Sequence, residues 1–516
     1  MSRFFNTTGA CNPRDHYMLP PEARLPQLLT LVERKQLFVV HAARQTGKTT
    51  AMHAFAALLR TRGFAAVRAT LEASQGEEQV EIAELRWIGA IGRAASEQLS
   101  EAHAAPPVEL AQQAEIGGRL WAWLSAWSSA VAPTPVVLLL DEADVVQGPA
   151  MISLLRQLRA GFDSRPDGFP SSVALVGLRD LRDYLTQSKD GVALNPGSPF
   201  NIKAASLTLR NFTQEEVATL YAQHTRDTGQ PFEDAAIERA YYWTRGQPFL
   251  VNALADIATT ELLPRRELSV TAQHIDTAKD RLILARTTHI DALAQRLREP
   301  RVANIVQAVL LGDEHIAYDN DDFQYVVDLG LIREEPAGAV VANPLYREIL
   351  ARQLTYNLQR NIPRPTWAWQ DERGRLRFPA LVAAFLQWWR ENADVLIQDI
   401  PEYPEAIPHL AFMAFLQRVI NGGGTVQREY AAGRGALDLL VHFGDERFVV
   451  ELKRVRARDS RDTVREKAIR QTLAYLDRVG EDEAWILLFD QQPTWTQRLW
   501  TEDVQRDGRT LHLFGA

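Results

Sequence analysis

The sequence predicts an α/β multidomain chain: a doubly wound parallel sheet, a helical region, and a second, smaller α/β domain at the C-terminal end. Three observations carry this expectation. Two wholly apolar runs, LFVVH (37–41) and VVLLL (136–140), read as strands buried on both faces of a parallel sheet. Helical patterns separate and follow them, as crossover connections require. From residue 425 onward the pattern becomes strand, hairpin, strand, helix, strand. The length, 516 residues, suggests about three domains at roughly 100–200 residues each. With 46% hydrophobic and 24% charged residues, the chain can bury enough apolar surface to fold.

Taken in order, residues 24–36 read as a short amphipathic helix and 37–41 as a strand. Residues 48–62, rich in Ala and Leu, read as a helix. Residues 72–84 hold five glutamates and read as a solvated helical face or loop. Residues 117–131 place Trp121, Trp123 and Trp127 on a helix that packs in a core. Residues 136–140 form a strand, 151–160 a helix, and SVALVG (172–177) another buried strand. Helical periodicity then runs from residue 212 to about residue 354. Thr213 and Glu216 have capping-box spacing at its start. Two apolar runs flanking EEPAG, within 315–345, interrupt it as a hairpin, and IPRPTW (362–367) reads as a linker. Residues 378–420 are helical again.

The strongest motif is AARQTGKT (42–49), set between the first strand and a helix. It matches the phosphate-binding P-loop GxxxxGK[ST] except that Ala42 replaces the first glycine. In such a loop, backbone N–H groups from Ala43, Arg44, Gln45, Thr46, Gly47 and Lys48 to Thr50 face the phosphates at a helix N-terminus. Lys48 would reach the β- and γ-phosphates, and the Thr49 hydroxyl would bind Mg²⁺. VVLLLDEAD (136–144) ends a buried strand in two carboxylates. Asp141 would hold the metal, directly or through water, and Glu142 would orient and deprotonate the attacking water. Arg179 and Arg182 follow the strand at 172–177. In an open α/β sheet that end borders the ligand crevice, so either arginine is placed to sense the γ-phosphate. Gly246, Gln247 and Pro248 suit a helix start. No GxGxxG follows a strand, and neither HExxH nor GxSxG occurs.

Residues 1–355 resemble AAA+-related P-loop ATPases of the STAND-like group. The resemblance rests on CNPRDHYMLP (11–20), ARQTGKT, LLLDEAD, the GQP turn and DLGLI…NPLYRE. It implies a P-loop doubly wound parallel sheet over 1–210, a helical lid over 211–289 and a winged helix over 290–356. It further implies that His16 and Tyr17 lie near the base of a bound ATP, that Pro248 borders the nucleotide, and that identical chains assemble into oligomers.

Beyond a linker at 357–378, residues 379–516 contain GRGALDLLVHFGDERFVVELK (433–453). Two strands joined by a tight turn would bring Asp438 beside Glu451 and Lys453, which lie two apart on one strand face. Two carboxylates suit a hard divalent metal, Mg²⁺ or Mn²⁺, that polarises a phosphodiester and activates water. Lys453 would stabilise charge. The segment 453–470 carries eight Lys/Arg, Arg454 and Arg456 among them, against three Asp/Glu, a local phosphate-binding patch in a chain of net charge −8. Gln471 and Tyr475 follow at i, i+4 on a helix. This segment is similar to PD-(D/E)XK nucleases of the RecB-like branch, which implies a restriction-endonuclease-like α/β domain. The helix at 408–420 holds Gln417 but no Asp or Glu; Glu429 stands on the first strand as a substitute acid.

Two readings follow: an ATP-controlled nuclease acting on DNA ahead of RNA, in a setting the resemblance places in bacterial defence, or a nucleotide switch whose C-terminal domain binds without cleaving. Cys11 is the only cysteine, so an internal disulfide and a thiolate-rich zinc site are excluded. That usage, the lack of an apolar run long enough to cross a membrane, and an N-terminus without a secretory signal give the expectation of a cytoplasmic protein.

Overall fold

The structure, a computed structural model, describes residues 3–178, 203–285, 293, 295–311, 321–336, 338–350, 371, 375–399, 408, 411–413, 415–416, 424–429, 437–455, 459–490 and 500–515. The chain divides into two compact units, Met1–Thr287 with Val327–Gly330, and Thr288–Val326 with Leu331–Ala516.

The first unit is built on a five-stranded sheet: β1 (Leu37–His41), β2 (Ala65–Thr70), β3 (Val136–Asp141), β4 (Ser172–Gly177) and β5 (Lys203–Thr208). All pairings are parallel, in the order β2-β3-β4-β1-β5. The connections pass over both faces. α1 (Leu28–Glu33) and α2 (Lys48–Thr61) cover one side, where Leu28, Val32, Met52, Phe55 and Leu59 pack on Phe38, Val40, Val137 and Leu139. α3 (Val80–Gln98), α4 (Arg119–Val131) and α5 (Gly148–Ala160) cover the other, with Trp87, Trp123 and Trp127 against Leu138 and Leu140. β3 and β4 are buried at every position, which is why both read as unbroken apolar runs. Trp121 departs from expectation: on the same helix as Trp123 and Trp127, it is turned outward and exposed. Its backbone N–H, near the start of α4, donates to the side chain of Gln157.

Four helices follow the sheet: α6 (Gln214–Thr228), α7 (Asp234–Thr244), α8 (Pro248–Asp256) and α9 (Ala272–Leu284). α6 starts with the anticipated capping box: Thr213 accepts from the Glu216 N–H, and Glu216 accepts from the Thr213 N–H at 2.8 Å. α8 starts at Pro248, with the Gln247 side chain capping the Leu250 N–H at 2.7 Å.

The second unit begins with α10 (Pro300–Leu311) and α11 (Asp321–Asp328), then an antiparallel hairpin of β6 (Ile332–Glu335) and β7 (Gly338–Val341) around the EEPAG turn. A six-stranded mixed sheet follows. α12 (Phe378–Asp399) precedes β8 (Gly424–Glu429), β9 (Leu437–Phe443) and β10 (Glu446–Val455), which form an antiparallel meander. α13 (Arg461–Val479) then crosses over to β11 (Glu483–Asp490), parallel to β10, and β12 (Trp500–Arg506) and β13 (Arg509–Gly515) complete the order β12-β13-β11-β10-β9-β8. One face packs under α12, with Phe378, Phe385, Trp388 and Trp389 on Val450, Leu452, Trp485 and Leu487; the other packs under α13. Among the described residues no helix is long and apolar enough to cross a membrane.

Candidate nucleotide site and C-terminal acidic row

The loop between β1 and α2 owes its shape to two residues in the left-handed region. Gln45 has φ 58° and Gly47 φ 86°, and the glycine supplies that conformation at little steric cost. The turn ends at Gly47 and α2 starts at Lys48. The Lys48 ammonium folds back to donate to the carbonyls of Ala42 (2.7 Å) and Ala43 (3.0 Å). Burial lowers its pKa, and the carboxylates of Glu142, Asp144 and Asp141 work against that shift. Thr46 closes the loop internally, its hydroxyl donating to the Ala43 carbonyl at 2.8 Å. Arg44 and Gln45 are exposed at the loop tip.

Two side chains anchor the loop from outside. Arg24 donates to the Thr46 carbonyl at 2.8 Å and, through Nε, to the Arg210 carbonyl at 2.8 Å. Burial lowers this guanidinium from its ordinary value to about 10. Gln247, at the N-cap of α8, donates to the Gln45 carbonyl at 3.3 Å. The loop is thereby bonded through Arg24 to the segment between β5 and α6, and directly to the start of α8, where Pro248 is buried.

β3 delivers the acids. Asp141 is fully buried (0% exposed). Its Oδ2 accepts from the Thr49 hydroxyl at 3.0 Å and from Arg68 at 2.6 Å, and its Oδ1 accepts from the Glu142 N–H at 3.0 Å. Glu142 sits at φ 56°, a conformation that costs a non-glycine residue roughly 1–2 kcal/mol and is often found at functional sites. Burial first, then the charges of Asp144 and Asp141, raise its pKa. Neighbouring Asp144 has a buried Oδ1 without a hydrogen-bond partner, facing Gly177 at the end of β4. Thr49 and Asp141 together offer a hydroxyl and a carboxylate, the hard oxygen donors that suit Mg²⁺.

The N-terminal segment lies across this end of the unit. The Cys11 N–H donates to the Thr50 hydroxyl at 3.0 Å, and His16 accepts from the Asn12 N–H at 2.8 Å through Nδ1. Tyr17 is buried, its ring packed against Phe5 and against His224 of α6, which joins the segment to that helix. Packing of the N-terminal segment onto α6 is therefore the role the contacts of Tyr17 define. Arg179 and Arg182 lie outside the described residues.

In the C-terminal sheet, backbone register sets Glu429, Asp438 and Glu451 in one row across β8, β9 and β10. Directly opposed residues share a sheet face. Glu451 is 1% and Lys453 8% exposed, and the two form a buried ion pair. The side chains of Asp438, Glu429 and Arg454 lie outside the described residues, as does Arg456 altogether. Among the described residues no group of three or more His, Cys, Asp or Glu side chains converges as a metal site. On α13, Gln471 is half-buried with its Oε1 partnerless. Tyr475 is 2% exposed and lies in the core with Leu440, Val449 and Leu476.

Sequence reasoning missed Arg68, because β2 itself went unrecognised. AAVRAT carries three alanines and an arginine, a poor strand signal.

A parallel sheet with a phosphate-type loop at the end of β1 and the buried acid Asp141 at the end of β3 is the arrangement of a P-loop α/β fold. In agreement, residues 32–185 match the AAA domain family. Among solved structures, the chain is similar to a Walker-type ATPase of Pyrococcus abyssi (15% identity, 67% of this chain and 99% of that one, TM-score 0.48). It is also similar to the Aeropyrum pernix ORC1 protein in complex with DNA (14%, 67% and 95%, 0.36) and to the Thermotoga maritima RuvB Holliday junction branch migration motor (15%, 64% and 92%, 0.35). No curated protein matches.

Proposed function

We propose that the chain is a Mg²⁺-dependent ATPase whose C-terminal domain is a PD-(D/E)XK-type phosphodiesterase acting on nucleic acid, DNA ahead of RNA, under nucleotide control. The observation that carries the ATPase part is the convergence of Lys48, Thr49 and Asp141 at one end of the parallel sheet. Thr49 and Asp141 would hold Mg²⁺, which offsets charge on the β- and γ-phosphate oxygens when bound. The loop amides from Ala43 to Thr50 bind the phosphates. Lys48 exchanges its two backbone carbonyls for phosphate oxygens. Glu142, beside Asp141, accepts the proton of the attacking water. His16, at the N-terminal segment, and Pro248, at the lid base, border the nucleotide.

Support for the nuclease part comes from the acidic row Glu429–Asp438–Glu451 with Lys453 on the central strand, beside a segment rich in Lys and Arg. The strand meander, crossover helix and parallel fourth strand are consistent with that fold, and residues 290–356 are read as winged-helix-like. A buried ion pair needs a compensating reason to persist, and a reaction centre that uses both charges supplies one. The second reading, a switch with a non-catalytic binding domain, is favoured by one specific feature: the Glu451 carboxylate is already neutralised by Lys453.

The test is cleavage of single- and double-stranded DNA and RNA with Mg²⁺ or Mn²⁺, with and without ATP, by wild type, Lys48→Ala and Asp438→Ala. Loss of cleavage in both variants is expected. Cleavage surviving Asp438→Ala overturns the nuclease assignment; no cleavage in any condition favours the switch.

A further inference from the structure

Arg68 occupies the metal side of the nucleotide site, and no motif accounts for it. It stands mid-strand on β2, and its guanidinium reaches the fully buried Asp141 at the end of the neighbouring β3, donating at 2.6 Å to the same Oδ2 that accepts from Thr49 at 3.0 Å. The arginine is itself held: its N–H donates to Gln98 Oε1 at 3.1 Å and its carbonyl accepts from Gln98 Nε2 at 2.8 Å. Its Nε is buried without a hydrogen-bond partner, so the guanidinium is aimed at Asp141 rather than satisfied on all sides. A buried carboxylate without a counter-charge is strongly disfavoured. Arg68 is the only cation that hydrogen-bonds Asp141 among the described residues.

We propose that Arg68 is a cationic latch that neutralises Asp141 and competes with Mg²⁺ for it. The inference rests on the reading of Thr49 and Asp141 as the Mg²⁺ donors. Arg68 and a metal ion cannot share Oδ2 at full strength, since two cations on one carboxylate oxygen repel each other. Binding of Mg²⁺ with ATP therefore displaces the guanidinium or works against it, and the site discriminates between metal-bound and metal-free nucleotide less than its donors alone would. Arg68 acts here as a positioning residue, through Asp141.

The experiment is equilibrium titration of a fluorescent ATP analogue across free Mg²⁺ concentrations, from a chelated baseline upward. It compares full-length wild type, Arg68→Gln and Arg68→Lys, with thermal melting alongside. Arg68→Gln should lower the half-saturating Mg²⁺ by about tenfold, the equivalent of about 1.4 kcal/mol. It should also melt below wild type in chelator and recover with Mg²⁺ and nucleotide. Arg68→Lys keeps the charge but loses the planar fork, and should shift the Mg²⁺ requirement in the same direction by less. If Arg68→Gln does not fold, the lysine variant alone decides. Half-saturation unchanged from wild type in the folded variants overturns the latch while leaving the ATP reading standing. Wild type that binds nucleotide with no dependence on Mg²⁺ overturns the metal assignment of Thr49 and Asp141, and the latch with it.

Discussion

Replacing Gly246 by Ala should destabilise the first unit by roughly 2–3 kcal/mol, a figure that follows from its surroundings. Gly246 has φ 72°, where a Cβ costs roughly 1–2 kcal/mol. The added carbon would stand 1.9 Å from the Phe212 carbonyl oxygen, so the two backbones must part. Their hydrogen bond, Phe212 N–H to the Gly246 carbonyl at 2.9 Å, is then lost, at about 1 kcal/mol. Calorimetry of the full chain reads this directly, in the transition that ATP raises. At roughly 2–4 °C per kcal/mol for a unit of this size, that transition should fall by about 4–12 °C. ATP affinity should weaken too, because the adjoining Gln247 is bonded to the Gln45 carbonyl of the phosphate loop. A melting temperature within about 1 °C of wild type would refute the reasoning, since it would mean that the junction does not hold residue 246 against Phe212.

Further outcomes are expected at three places. Glu142→Gln should lower ATP turnover by about 10²–10⁴-fold while retaining binding. The raised pKa of Glu142 favours its neutral form in the fold, so stability is fullest below the ordinary carboxyl value and is lost as pH rises through the folded value. The variant should thus melt above wild type at about pH 8, with the gap closing near pH 4, as a melting series across pH will show. Lys453→Met should cost about 3–5 kcal/mol by stranding the buried Glu451 carboxylate, whereas Glu451→Leu with Lys453→Met should come much closer to wild type in denaturant titrations. Tyr475→Ala should cost about 3–5 kcal/mol of stability, by chemical denaturation, and leave the DNA affinity of the folded fraction unchanged.

Some of this was legible in the sequence, for physical reasons that differ by element. β1, β3 and β4 are buried on both faces and announce themselves as apolar runs, and the loop at 42–49 is a local device whose parts are adjacent in sequence. The capping box at Thr213 and Glu216 is equally local. β2 and β5 were hidden. AAVRAT and KAASLT are alanine-rich and partly polar, so tertiary pairing rather than propensity makes them strands. Arg68 was lost with β2. α3 was obscured by the glutamates at its start, yet one of them, Glu84, is fully buried and accepts from the N–H groups of Gly117 and Arg119 ahead of α4. The burial of Tyr475 is not legible in the sequence, because an i, i+4 pattern tells which residues share a helix face but not whether the sheet covers that face.

The central claim is that Lys48, Thr49, Asp141 and Glu142 form a Mg²⁺-dependent ATP-hydrolysing site. The most direct measurement is single-turnover conversion of radiolabelled ATP, with bound and product nucleotide resolved, for wild type, Lys48→Ala and Glu142→Gln, with Mg²⁺ or chelator. The account predicts that wild type converts ATP to ADP only with Mg²⁺, that Lys48→Ala retains little nucleotide, and that Glu142→Gln retains ATP uncleaved. Turnover in Glu142→Gln at the wild-type rate, or full ATP retention by Lys48→Ala, would contradict it.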